Sequence, residues 1–204
     1  MTLQNAYATL ADFMALPEIN SAAPADDLFI EDCLNRASRA IDDYCGTWFY
    51  AAALTRLFDT PQGRCLELDA PLLAVTTLIN GNGTPLTATD YALWPNNGVH
   101  KREIRLLGSA SAVWELSAAG DRDGAISVAG TWGYVDRAAT DPESRRVIVN
   151  TTDACLVIAL AAYRKRYGQG LESVATVTGA GVVISPRGLP LEAKQLLTPY
   201  VGLL

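Results

Sequence analysis

Asp43-Tyr44-Cys45-Gly46-Thr47-Trp48-Phe49 and Gly130-Thr131-Trp132-Gly133-Tyr134 decide how this chain reads. Before the first stretch and after the second, apolar residues recur at helical spacing. Between them the pattern changes to short runs broken by turn residues, the signature of strands. The reading is α+β: a small helical bundle with an inserted antiparallel β module and an extended C-terminal arm. By position, N-terminal helices fill 1–46, the β module 47–135, a long helix completing the base 136–168, and the arm 169–204.

The helical ends carry their own local chemistry. Thr9 with Asp12 three positions on is a capping pair for a short helix with Leu10, Phe13 and Met14 on its apolar side, stopped at Leu16-Pro17. The second helix, about 26–44, places Ile30, Cys33, Leu34, Ala37, Ile41 and Tyr44 on one face and ends at Gly46. Asp26, Asp27, Glu31 and Asp32 at its start read as carboxylates satisfying free N–H groups and the positive dipole end, rather than as a metal cluster. Asp141-Pro142 starts the long helix, whose apolar stripe is Val147, Thr151, Ala154, Cys155, Ile158, Ala162 and Tyr163. Ala154, Ala159, Ala161 and Ala162 keep it slim, and Arg164-Lys165-Arg166 complement its negative end before Gly168.

Candidate strands are 49–58, 64–68, 73–79, 90–94, 103–107, 111–116 and 124–130. Thr60-Pro61-Gln62-Gly63, Asn80-Gly81-Asn82-Gly83 and Asp121-Arg122-Asp123-Gly124 have the composition of the turns between them. Asp121-x-Asp123-Gly124 resembles a fragment of a calcium loop but lacks the later ligands that such a loop needs. Residues 169–188 are rich in glycine and β-branched residues, consistent with an extended strand or hairpin. Leu189-Pro190 through Leu197 reads as a brief helix, followed by the apolar ending Tyr200-Val201-Gly202-Leu203-Leu204.

Composition narrows the function classes. The 204 residues are 50% hydrophobic with a net charge of −6, which argues against a general nucleic-acid binder. Charge is uneven: residues 1–136 carry 17 acidic and 8 basic side chains, a net of −9, whereas residues 137–204 carry 5 and 8, a net of +3. Such polarity suits head-to-tail self-association or docking on an acidic partner. No apolar run is long enough to span a bilayer, and the start lacks a signal-peptide pattern, so the expected place of synthesis and folding is the cytoplasm. Cys33, Cys45, Cys65 and Cys155 lack metal or redox spacing and are expected to be reduced and mostly buried.

Catalytic signatures are missing. The single histidine, His100, falls in a turn-like stretch and reads as an exposed loop residue. No nucleophile elbow, phosphate-binding loop or zinc histidine pair is present, and no cofactor is expected.

Several segments, in order, resemble the head-tail connector, or adaptor, proteins of long-tailed bacteriophages. They are Ala37–Gly46 running into Trp48-Phe49, Cys65–Val75, Asp90–Pro95, Ile126–Tyr134, and Leu189-Pro190 through Tyr200. The resemblance implies a structural, non-enzymatic virion protein. It implies a homo-oligomeric ring under the portal protein, matching the portal's twelvefold symmetry and sitting in the neck between head and tail after assembly in the host cytoplasm. Such a ring extends the DNA channel without sequence-specific binding and offers a docking surface to a stopper or tail completion protein. Carried onto this chain, the portal-binding arm has Leu189, Leu196, Leu197, Tyr200, Leu203 and Leu204 as anchors. Ala154, Ala161, Arg164, Lys165 and Arg166 are the candidate subunit interface. Tyr44, Trp48, Trp132 and Tyr134 are expected to lie together as the junction between modules. One departure is that residues 136–141 lack a proline just after the tryptophan-glycine strand. The alternative is a carbohydrate- or ligand-binding β module on a helical base, with Trp48, Trp94, Trp114 and Trp132 as stacking faces. An enzyme built around His100 ranks third.

Overall fold

The computed structural model describes residues 5–17, 19, 26–136, 148–166, 176–177, 183–184 and 188–202. The chain divides into two compact units, one formed by Met1–Phe49 with Val147–Leu203 and the other by Tyr50–Arg146. The fold is mixed α+β, and in sequence the second unit is inserted into the first.

In the helical unit, α1 (Leu10–Met14) starts at a capping box: Asp12 N donates to Thr9 Oγ1 at 3.1 Å and Thr9 N to Asp12 Oδ2 at 2.8 Å. Helix α2 (Asp27–Cys45) buries Ile30, Cys33, Leu34, Ala37, Ser38, Ile41 and Cys45 along one face. It stops where Gly46 turns left-handed, φ +71°, and returns its N–H to the Asp42 carbonyl at 2.8 Å. Asp26 makes no side-chain cap bond to the start of this helix. Helix α3 (Val149–Arg166) packs on α2 and buries Thr151, Ala154, Cys155 and Ala159. These small side chains permit close approach: Cys155 Sγ lies 3.5 Å from Ser38 Oγ and 3.6 Å from the Leu34 carbonyl. The expected Asp141-Pro142 start of this helix lies outside the described residues. Past α3, Thr176–Val177 and Val183–Ile184 pair as antiparallel β7 and β8, within the stretch expected to be extended.

The β unit is a six-stranded antiparallel sheet of β1 (Ala52–Phe58), β2 (Cys65–Ile79), β3 (Pro85–Leu86), β4 (Tyr91–Trp94), β5 (Lys101–Leu106) and β6 (Ile126–Trp132). Its order is β1-β6-β2-β5-β4, with β3 on β2. Burial alternates strictly along β6, which turns Ile126, Val128, Gly130 and Trp132 inward. Phe58, Leu66, Leu72, Leu78, Ile104 and Leu106 complete this core.

Three expectations are corrected here. Residues 64–68 and 73–79 are one strand, β2, which pairs β5 with its first half and β6 with its second. Pro71 does not break it, because it falls in the register shift between Glu67 and Leu72, where no ladder N–H is required. Its carbonyl instead accepts from Gly133 N at 2.9 Å. The strand expected at 124–130 runs from Ile126 through Trp132, so Gly130-Thr131-Trp132 of the second aromatic-glycine stretch lies inside the sheet. Gly130 is needed there because a Cβ would collide with the Ala74 carbonyl of the neighbouring strand. Finally, residues 111–116 are extended but join no ladder; side chains hold them instead of a strand.

Candidate functional site

The densest polar constellation of the helical unit centres on Tyr7. Its N–H donates to Ser38 Oγ at 3.0 Å, and its carbonyl accepts from Thr152 Oγ1 at 2.8 Å. Its hydroxyl donates to Asp42 Oδ1 while accepting from Phe49 N at 2.8 Å. Arg39 pairs with Asp42 at 3.2 Å and lies over the Tyr7 ring. Burial raises the Asp42 carboxyl above the usual range, against the opposing pull of the Tyr7 hydrogen bond and Arg39. Burial also pushes the Tyr7 hydroxyl well up, helped by its bond to Asp42. A deprotonated Tyr7 has no place in this arrangement. The network is structural: one residue ties α2, α3 and the exit toward the β unit together. Sequence reasoning missed it, since Tyr7 precedes the first helix and belongs to no periodic pattern.

Around this centre the C-terminal segment is packed into the same unit. Helix α4 (Leu191–Leu197) lies against α3, with Ala193 and Leu197 fully buried. Tyr200, in the short 3-10 turn that follows, meets Phe49 edge-on at 5.6 Å between ring centres. Of the expected portal anchors, Leu197 is therefore buried within its own chain, and Leu189, Leu196 and Tyr200 are half-buried. Leu203 and Leu204 lie outside the described residues. The exposed apolar side chains of this segment are Leu191, 72% exposed, and Val201, neither of which sequence reasoning singled out.

Among the candidate interface residues, Ala154 is wholly buried, Ala161 is exposed, and Arg164 is half-buried. Arg166 stacks over Phe29 at 4.1 Å, which sets the basic end of α3 beside the acidic start of α2. Charges that are distant in sequence thus compensate within one unit. Of the junction residues, Tyr44 and Trp48 are half-buried in the helical unit, while Trp132 and Tyr134 are buried in the β unit.

His100 is corrected from an exposed loop residue to a buried one. Its Nε2 accepts from Val135 N at 3.1 Å, and its ring stacks on Tyr134 at 4.0 Å and 7°. The imidazole is a structural acceptor that closes the end of β6 onto the start of β5. The tryptophans do not form a shared set of stacking faces. Trp132 is fully buried with Nε1 donating to the Leu54 carbonyl at 3.0 Å. Trp114 is half-buried and donates to the Arg64 carbonyl at 3.2 Å. Trp94 is 40% exposed, but the Arg105 guanidinium covers one face at 4.3 Å. Three cysteines, Cys33, Cys45 and Cys155, are buried and Cys65 is exposed. Among the described residues, no cluster of three histidine, cysteine or carboxylate side chains is placed to hold a metal ion. Also among them, no helix is long and apolar enough to cross a membrane.

Comparison with solved structures finds the same architecture over nearly the whole chain. One match is a chain in the virion of a native gene transfer agent particle: TM-score 0.59, 20% identity, covering 98% of this chain and 92% of that one. Another is a chain in the neck of an empty gene transfer agent particle computed with C6 symmetry: TM-score 0.56, 16% identity, with the same coverage of 98% and 92%. The chain shares its fold with components of that particle. No protein-family model matches the sequence, and neither does any curated protein. The fold likeness takes in both the helical unit and the inserted sheet, since a match to 98% of the chain leaves neither out.

Proposed function

We propose that this protein is a structural neck component of a phage-like particle, a head-tail adaptor that forms a homo-oligomeric ring beneath the portal. The observation that carries the reading is the end-to-end likeness to chains of a gene transfer agent virion and neck. In this role the ring extends the DNA channel without reading sequence and presents a surface to a stopper or tail completion protein. The ring has the portal's twelvefold symmetry. In this reading the portal is met by the exposed Leu191 and Val201 of the C-terminal segment, with the half-buried Leu189 and Leu196 beside them, a choice supported by the burial of Leu197. Ala161 and Lys165, exposed on α3, remain open to a neighbouring subunit. Tyr44 and Trp48 in the helical unit, and Trp132 and Tyr134 in the β unit, flank the insertion in sequence and in this role stiffen its two connections.

The test is cryo-electron microscopy of the full-length protein mixed with portal rings. The expected result is a ring of added density under the portal, lost when residues 189–204 are deleted. A protein that stays monomeric, never binds the portal and is indifferent to that deletion refutes the proposal. Trp48→Ala and Trp132→Ala variants that assemble normally would show that the aromatic junctions do not govern ring geometry.

A further inference from the structure

Residues Ala112–Leu116 have the composition of a strand and run extended, without turn or bend, yet pair with no strand among the described residues. They are held from one side only. Asn80 Nδ2 donates to the Val113 carbonyl at 2.8 Å, and Asn80 Oδ1 accepts from Glu115 N at 2.9 Å. Thr60 Oγ1 donates to the Glu115 carbonyl at 3.0 Å. The Asn80 carboxamide offers one donor and one acceptor, as a peptide group does, and so takes the place of a neighbouring strand. The approach is close enough that a Cβ on Gly81 would collide with the Glu115 carbonyl. Trp114 Nε1 fixes the middle of the segment on Arg64.

In an extended chain the N–H and C=O groups of alternate residues point to the same side. With Val113 and Glu115 turned inward, the main-chain groups of Ala112, Trp114 and Leu116 turn outward. They have no hydrogen-bond partner among the described residues. This open edge has neither lysine nor proline, and its one charge is Glu115. Val113 and Leu116 are exposed to 53% and 43%. Glu115 is exposed on the segment and Asp121 is exposed where its carbonyl accepts from the adjoining Ser117 N, and neither forms an ion pair among the described residues; of the nearby cations, Arg64 and Arg122 are spent on main-chain carbonyls.

We propose that residues 112–116 are a preformed β-addition site that accepts an extended segment of a partner protein along its outer edge. Main-chain hydrogen bonds supply the attraction, as in other strand-addition complexes. Leu116 and the half-buried Trp114, which share one face of the extended segment, select a strand with alternating apolar side chains, and Glu115 on the opposite face selects lysine or arginine at the positions between them. The site stands whether or not the chain forms a ring.

The experiment titrates the full-length, 15N-labelled protein with an acetylated and amidated hexapeptide, Lys-Val-Thr-Val-Lys-Val. The expected result is at least tenfold slower amide exchange at Ala112, Trp114 and Leu116. Binding should weaken at least tenfold when glutamate replaces both lysines in the peptide, or when the peptide is N-methylated throughout. Leu116→Pro removes one outward N–H and leaves the bonds to Asn80 and Thr60 in place; it should weaken binding similarly while the sheet amides keep their protection. Three results would each overturn the site: no protection at millimolar peptide, protection along β1 or β4 instead, or equal binding of the N-methylated peptide.

Discussion

Every polar atom of Tyr7 is engaged by a different residue, and the consequence is clearest at its partner Asp42. Because burial raises the folded-state pKa of Asp42 above the unfolded value of about 3.9, protonation favours the folded chain. That stability is fully present below the unfolded value and is lost as pH rises through the folded one. Asp42→Asn keeps an acceptor for the Tyr7 hydroxyl, so it should flatten the pH dependence of the urea midpoint between pH 4 and 7. Asp42→Ala removes the acceptor of the Tyr7 hydroxyl proton, while the bond from Phe49 N stays, and should cost about 1–3 kcal/mol at either pH. A second prediction concerns the thiols. Burial pushes Cys45 and Cys155 up to about 11, and Cys33 is also raised, so few thiolates form at these positions at neutral pH. Iodoacetamide at pH 8 followed by mass spectrometry should label Cys65 rapidly, and the other three only on unfolding.

Helices and strands differ in how much of them could be read in advance. The start of α1 and the end of α2 were legible because the interactions that fix them, Thr9 with Asp12 and the left-handed Gly46, lie within a few residues. The fate of Pro71 was not. A proline breaks a strand only where its N–H would be needed, and that depends on a register set by β5 and β6. Residues 111–116 failed for a related reason: their strand propensity was real, but the partner is a side chain from position 80 rather than another strand. His100 was misread because its acceptor role needs Val135, 35 positions away. Two substitutions test these elements. Gly130→Ala drives a methyl into the Ala74 carbonyl across the sheet and should lower stability by about 1–3 kcal/mol. Asn80→Ala removes bonds to Val113, Gly81 and Glu115, a loss of about 2–3 kcal/mol at roughly 1 kcal/mol each. Denaturant melts would measure both.

At the scale of the whole molecule, each unit has its own core. Phe58, Leu78, Ile104, Ile126, Val128 and Trp132 are buried within 50–136, so that segment expressed alone should give a cooperative melt and a native-like near-ultraviolet spectrum. Leu197→Ala opens a cavity in the helical unit and should cost about 2–5 kcal/mol, again measurable by denaturant melts. The insertion also sets an order of events during synthesis. Tyr7 leaves the ribosome early, yet its carbonyl waits for Thr152, 145 positions later. The sheet's strands are contiguous in the chain and complete by Trp132, so a nascent polypeptide stalled before α3 holds a finished sheet beside an unfinished helical half. Tyr7 thus reaches its place only after residues made long after it, and the helical unit closes only once α3 has emerged.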